Sequence, residues 1–343
     1  MPDLHLSIEP RPHIEVRGIY GGMPTSLIGN GKTLADFGIN AVWLGSQVVD
    51  RITVDGIHAQ YARAYAEFNT MHHAAFLSDH PDAAPVGPDG RISPPPDGWQ
   101  GVCPTHPEYR KHRMDAFYSL LHDNPIDGVW LDYHHSHASW EQAVPTLPDT
   151  CFCPRCLRQF QLQTGLDTPV SADELSSEWV TWRCSVFTDW VREFREIRDK
   201  VRPQALLGTF HCPWTDTERD GAITRKLAID LRAQVEHLDV LSIMPYHARF
   251  GYSSDIEWIN RQTAWLGDYL GITGNGTETK QIWPILQASD WGEKVTAGEI
   301  GAVVEAGTRR PATGVMVFNW GSFGSQTDKV AALADVYRAI AGH

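Results

Sequence analysis

Ile126-Asp127-Gly128-Val129-Trp130-Leu131-Asp132 reads as a strand that is apolar on both faces and ends in a carboxylate. A segment buried on both sides belongs in a parallel sheet covered by helices rather than in a half-solvated antiparallel one. Seven further short apolar runs share this character: 14–20, 41–44, 64–68, 205–210, 238–244, 281–286 and 314–318. The stretches between them carry helical spacing, most plainly 107–122, 329–340 and 179–201, where Val180, Phe187, Val191, Phe194 and Ile197 form one stripe. Eight strand-then-helix units predict an α/β fold, a single (β/α)₈ TIM barrel over residues 1–343, with long loops after strands three and four. The Pro-, Gly- and Asp-rich stretch 72–100 is the first of these loops. A doubly wound open sheet is disfavoured, because no strand runs into a glycine-rich phosphate loop.

Composition narrows the function. The chain has 343 residues, is 42% hydrophobic and 21% charged, and can bury a sizeable core. Its formal charge of −13, with no basic cluster to offset it locally, argues against nucleic acid as a partner. The start, MPDLHLSIEPRPHIEV, has no basic then apolar leader, and no run is long enough to span a bilayer. The expectation is a cytoplasmic protein with no membrane partner. Self-association into a homo-oligomer stays open.

In a barrel, catalysis gathers at the C-terminal ends of the strands. Here those ends carry Tyr20, Glu67, Asp132, Tyr133, His211, Trp214, Tyr246, His247, Gln287, Asp290, Asn319 and Trp320. Such a polar and aromatic rim suits a carbohydrate, because flat sugar rings stack on aromatic faces, although many of the thirteen tryptophans fill core space. Tyr20, Tyr133, His135, His211, Trp214, Tyr246, His247, Gln287 and Trp320 are the candidate substrate contacts. Asp132 is the leading catalytic candidate, since a carboxylate closing an apolar strand must be paired, hydrogen-bonded or used. Glycosidic cleavage needs a second carboxyl. Asp290 is the first choice for it, with Glu67, Asp216 and Glu218 as alternatives.

Asp127-Gly128-Val129-Trp130-Leu131-Asp132-Tyr133, Ser242-Ile243-Met244-Pro245-Tyr246-His247 and Gly314-Val315-Met316-Val317-Phe318-Asn319-Trp320 resemble barrel strands of glycoside hydrolase-like proteins, many of them uncharacterised. The resemblance implies a retaining enzyme leaning to an α-linked sugar, with Asp132 as nucleophile. No diagnostic acid/base motif accompanies it. Cys151-Phe152-Cys153-Pro154-Arg155-Cys156 is a C-x-C-x-x-C group whose thiolates can converge on one tetrahedral Zn²⁺ given a fourth ligand, for which Cys103 is the obvious candidate. The arrangement resembles the zinc cluster of family 42 β-galactosidases. By that resemblance Cys103, Cys151, Cys153 and Cys156 are the ligands of a structural zinc that staples two loops over the mouth. The Asn-Glu pair of that family at strand four is replaced here by Leu131-Asp132-Tyr133, and Glu141 lies in a loop upstream of the cluster. Cys184 and Cys212 read as ordinary buried thiols.

Two other readings compete. His134, His135, His137, His211 and His247 near strand ends suit a metal-dependent barrel hydrolase, although the His-x-His pair of amidohydrolase-type barrels is absent from strand one. A barrel that binds carbohydrate without cleaving it is the other.

Overall fold

The computed structural model describes residues 13–28, 31–166 and 176–342. Most of the N-terminal stretch read as leaderless lies outside them. Among the described residues, nine strands form one curled, wholly parallel sheet with helices between them: β1 Val16–Tyr20, β2 Ala41–Gly45, β3 Arg63–Asn69, β4 Gly128–Asp132, β5 Leu206–His211, β6 Val240–Ile243, β7 Gln281–Ile282, β8 Ile285–Gln287 and β9 Gly314–Phe318. Their spatial order is β7-β6-β5-β4-β3-β2-β1-β9-β8, consistent with a TIM-like barrel. No helix of the described residues is long and apolar enough to cross a membrane.

The single seventh strand expected at 281–286 is corrected to two short ones. Pro284 has no N–H for a ladder, and the run divides there. β7 pairs with β6 and β8 with β9, so seven consecutive residues touch both ends of the sheet order. The stretch 72–100 is also more ordered than a bare loop: it carries the helix Ala74–Asp79 and 3₁₀ turns at Pro81–Ala83 and Pro96–Gly98. His73 Nδ1 accepts from Phe76 N at 3.0 Å and so caps that short helix, a role its histidine does not advertise in sequence.

Side chains alternate across each strand with period two. Phe68 of β3 points outward, with its ring 5.3 Å from Phe117 of the helix Pro107–Asp123 and 5.7 Å from Phe194 of the helix Ser177–Val201. In the latter helix Trp179, Trp182 and Trp190 join the expected buried stripe, while Val180 and Ile197 lie half-buried at its edges. Facing inward, Trp43, Tyr65, Trp130 and Trp283 fill the interior with ring centroids 4.5 Å (43–65), 4.8 Å (65–130) and 5.5 Å (130–283) apart. Space for three of these indoles comes from glycine on other strands. A Cβ at Gly18 would lie 2.2 Å from Trp43, at Gly208 2.4 Å from Trp130, and at Gly314 2.8 Å from Trp283. Trp130 Nε1 donates to Ser242 Oγ at 2.9 Å, tying β4 to β6. One step nearer the C-terminal ends, the same period brings Tyr20, Glu67, Asp132, Phe210 and Phe318 toward the mouth.

Candidate functional site

Three carboxyls converge above the aromatic layer. Glu67 on β3 and Asp132 at the end of β4 are 8% and 7% exposed, and Glu141, in the loop after β4, is half-buried as a residue. Asp132 Oδ1 accepts from Tyr133 N at 2.8 Å, which Tyr133 achieves with a left-handed φ of 50°. Burial pushes the Asp132 carboxyl up to about 7 against that hydrogen bond. Burial and the neighbouring Asp132 charge push Glu67 up to about 8, with the Arg113 guanidinium opposing. Glu141 is likewise pushed up to about 8 by burial and Asp132, with Arg249 opposing. Both guanidiniums are engaged elsewhere. Arg113 donates to Asn69 O and lies 4.1 Å over Phe68; Arg249 Nε donates to Glu141 O at 2.5 Å and stacks 4.5 Å over Trp291.

Such a set resists holding all three charges at once and keeps at least one acid protonated near neutrality. Stability should show it. Glu67 and Glu141 start near 4.5 and Asp132 near 3.8, so the folded state retains protons that the unfolded chain has released, and stability falls as pH rises towards 7–8. His134, His135 and His211 are held neutral by burial, each lowered from 6.5 to about 4, and act oppositely: their contribution grows as pH rises from 4 to 6.5 and is then complete. Between pH 6.5 and 8 these carboxyls therefore dominate over the histidines. Denaturant unfolding is expected to lose about 1–2 kcal/mol over that interval, at about 1.4 kcal/mol per pH unit for one retained proton. Glu67→Gln should flatten the slope; an unchanged slope would show that Glu67 is ionised throughout.

Aromatic rings line two sides of these acids. Tyr20, Phe318, Tyr246 and Trp291 form one wall, with centroids 5.3 Å (20–318), 5.0 Å (246–318) and 5.6 Å (291–318) apart. The Tyr246 hydroxyl is buried without a partner, and the charges of Glu141 and Asp132 act on it. Trp99 and His72 form the other wall against Tyr133, the Trp99–Tyr133 rings lying 4.5 Å apart. His72, Trp99, Tyr133 and His135 border a small cleft there.

Of the residues singled out in the sequence, Tyr20, Glu67, Asp132, Tyr133 and Tyr246 are brought together, with His135 beside them. Others are not. Asp290 is ion-paired at 2.8 Å with Lys329, which is 2% exposed, and the pair, with the Val295 N–H, holds the Asp290 carboxyl below its usual range. A carboxyl so held makes a poor proton donor. Asp216 is exposed in the turn after β5, and Glu218 accepts from Thr215 N and Gln262. Gln287 is a brace: its oxygen accepts from Arg249 N and its nitrogen donates to Ser289 O and Trp291 O. Trp214 packs under Arg219 and against Trp140, and Trp320 against Phe323. His211 Nδ1 donates to Cys212 O, and both nitrogens of His247 are buried without partners. Among the described residues these histidines form no group able to share a metal.

Glu141, Trp99, Trp291, Phe318 and Arg249 enter the site without a clear warning in sequence. Glu141 sits on no strand end, and its loop is held by contacts distant in the chain: Arg249, Arg219 to Ala143 O at 2.8 Å, and Gln142 to Asp97 at 2.8 Å.

The cysteines assemble as expected. Cys103, Cys151, Cys153 and Cys156 are buried and unpaired, their sulfurs all within 4.8 Å of one another. Cys103 Sγ lies 3.6 Å from both Cys153 and Cys156 Sγ. Four thiolates about 2.3 Å from a central ion would stand about 3.8 Å apart, so the donor set suits one tetrahedral metal. Val86 N and Cys156 N donate to Cys151 and Cys153 Sγ at 3.4 and 3.5 Å, the kind of bonds that stabilise thiolates.

No protein-family profile matches the chain, and no curated protein matches it. Solved structures do. The glycoside hydrolase domain of PgaB (BpsB) from Bordetella bronchiseptica superposes with a TM-score of 0.69 at 12% identity, over 96% of this chain and 99% of that one. Many structural neighbours of this chain are glycoside hydrolases. A family 42 β-galactosidase from G. stearothermophilus gives 0.67 at 13% identity over 96% of this chain, and α-L-fucosidase isoenzyme 2 from Paenibacillus thiaminolyticus gives 0.60 at 12% over 96%. The chain spans 56% and 49% of those two longer proteins. At such identities the likeness is one of fold.

Proposed function

We propose that residues 1–343 form one closed (β/α)₈ barrel, with the Gln281–Gln287 run as its seventh strand, and that this domain is a cytoplasmic glycoside hydrolase acting on a carbohydrate. The observation that carries the reading is the trio of Glu67, Asp132 and Glu141, desolvated, without a direct cationic partner and walled by aromatic rings. Glycoside cleavage needs one ionised and one protonated carboxyl, and a cluster that resists full ionisation supplies both near neutral pH. Asp132, the more acidic, displaces the leaving group to form a covalent glycosyl ester with inversion, and water then displaces Asp132 with a second inversion, so the configuration is retained overall. Glu141, carried by the loop after β4, protonates the leaving oxygen and then draws the proton from water. Glu67 beneath them keeps Asp132 from a second neighbouring charge by holding its own proton. Asp290 and Asp216 take no part. Tyr20, Tyr133, Tyr246 and His135 contact the sugar, with Trp99 and Trp291 as stacking faces. The lean to an α-linked sugar rests on the resemblance of Asp132, closing strand four, to the nucleophile of retaining families that act on such sugars.

Cys103, Cys151, Cys153 and Cys156 would hold a Zn²⁺ ion whose closed thiolate shell gives it a structural role, fixing the two loops that carry Trp99 and Glu141.

A panel of aryl α- and β-glycosides tests the function. The expected result is cleavage of at least one α-glycoside, with the first-formed sugar retaining its configuration. Stoichiometric sugar binding without release of reducing sugar would instead favour the non-catalytic barrel.

A further inference from the structure

The second group of potential ligands in the described residues, His80, Asp82 and His106, lies beside the cysteines. Its hydrogen bonding argues against a second metal. His106 Nδ1 accepts from Tyr109 N at 3.2 Å, so the ring proton sits on Nε2, which donates to Asp82 Oδ2 at 3.1 Å. The nitrogen that a metal would need is therefore a donor. The same Asp82 oxygen accepts from Arg155 Nη2 at 2.7 Å, and the other arm of that guanidinium, Nη1, donates to Cys103 Sγ at 3.7 Å. A second guanidinium, that of Arg183, is 4% exposed on the helix Ser177–Val201 and lines one small cavity with Thr105, Cys151 and Cys156. It is anchored there by Ser136 Oγ, Arg225 O and Lys226 O.

Four thiolates around a divalent ion carry a net charge of −2, and leaving that charge buried and uncompensated is costly. Two guanidiniums lie near these sulfurs, Arg155 in contact with Cys103 and Arg183 lining a cavity with Cys151 and Cys156. We propose that Arg155 and Arg183 are charge-balancing positioning residues of the four-cysteine centre, with His106 and Asp82 aligning Arg155. The inference rests on the metal reading above. It gives the His-Asp group a role as the outer support of one centre, in the manner by which outer partners tune a bound ion.

The test is equilibrium zinc affinity, measured by competition with a chromophoric chelator on the whole chain. Arg155→Met is expected to bind zinc about 10–100-fold more weakly than the wild type. Asp82→Asn should lose less, because Arg155 keeps its charge and loses only its anchor. Arg158→Met, exposed on the same helix, should match the wild type. Arg155→Met within twofold of the wild type would overturn the proposal; if that variant does not fold, Asp82→Asn indistinguishable from wild type does so. A wild type that binds no zinc would overturn the metal reading itself and this inference with it, while glycoside cleavage by that protein would leave the enzymatic reading standing.

Discussion

Asp132→Asn should lower kcat/KM by about 10³-fold or more on whichever glycoside the wild type cleaves, because the amide keeps the shape but cannot attack carbon. The change has a second signature. Asp132 is a neighbouring charge that holds both Glu67 and Glu141 up, so its neutralisation should let both titrate lower. The residual activity would then lose its alkaline limb at a lower pH than the wild type does. The smaller variant Asp132→Ala sharpens the assignment. Azide admitted to the vacated space should restore turnover and yield a glycosyl azide of inverted configuration, as a displaced nucleophile requires. Wild-type rates in Asp132→Asn would make the residue structural. A large loss with no azide rescue and an inverted sugar product would recast Asp132 as the base of an inverting enzyme.

Removing the proposed zinc should act through the loops. The four cysteines join the segment around Cys103, which follows Trp99, to the segment 151–156, which follows Glu141. Chelation or Cys153→Ser is expected to open both to protease while the remote barrel strands stay protected from hydrogen exchange. A ligand present at a thousand times its Kd contributes about 4 kcal/mol to the folded state, and that amount should vanish from the unfolding free energy on stripping. Activity should fall with it and return on adding zinc. Unchanged stability and protease resistance after complete removal would show that packing alone holds the loops.

How much of this was legible depends on how local each signal is. A strand buried on both faces is written in consecutive residues, so Gly128–Asp132 and its companions could be placed from sequence. Pro284 was visible within the seventh run, yet its effect was not, because the pairing of the two halves depends on which neighbours they meet. The cysteine spacing is similarly local, with Cys103 the one long-range member. Carboxylates are harder. Asp290 lies just beyond a strand as Asp132 closes one, and what separates them is Lys329, 39 residues from Asp290 on the last helix. Glu141 offers the reverse case: nothing beside it in the chain marks it, and its role arises from the loops that fold over β4.

The four rings beneath the acids carry a further consequence. Trp43, Trp130 and Trp283, seated against glycines, fill the interior beneath the acids together with Tyr65, so a sugar bound there as proposed would come and go on the side of the strands' C-terminal ends. Under the proposed mechanism, traffic there would be two-way. A departing aglycone would back out along the path by which the next acceptor comes in, and one that lingered would itself be in position to receive the sugar. Any alcohol crowding that side would compete with water, so the balance between breaking a glycosidic bond and remaking one would be set at the threshold.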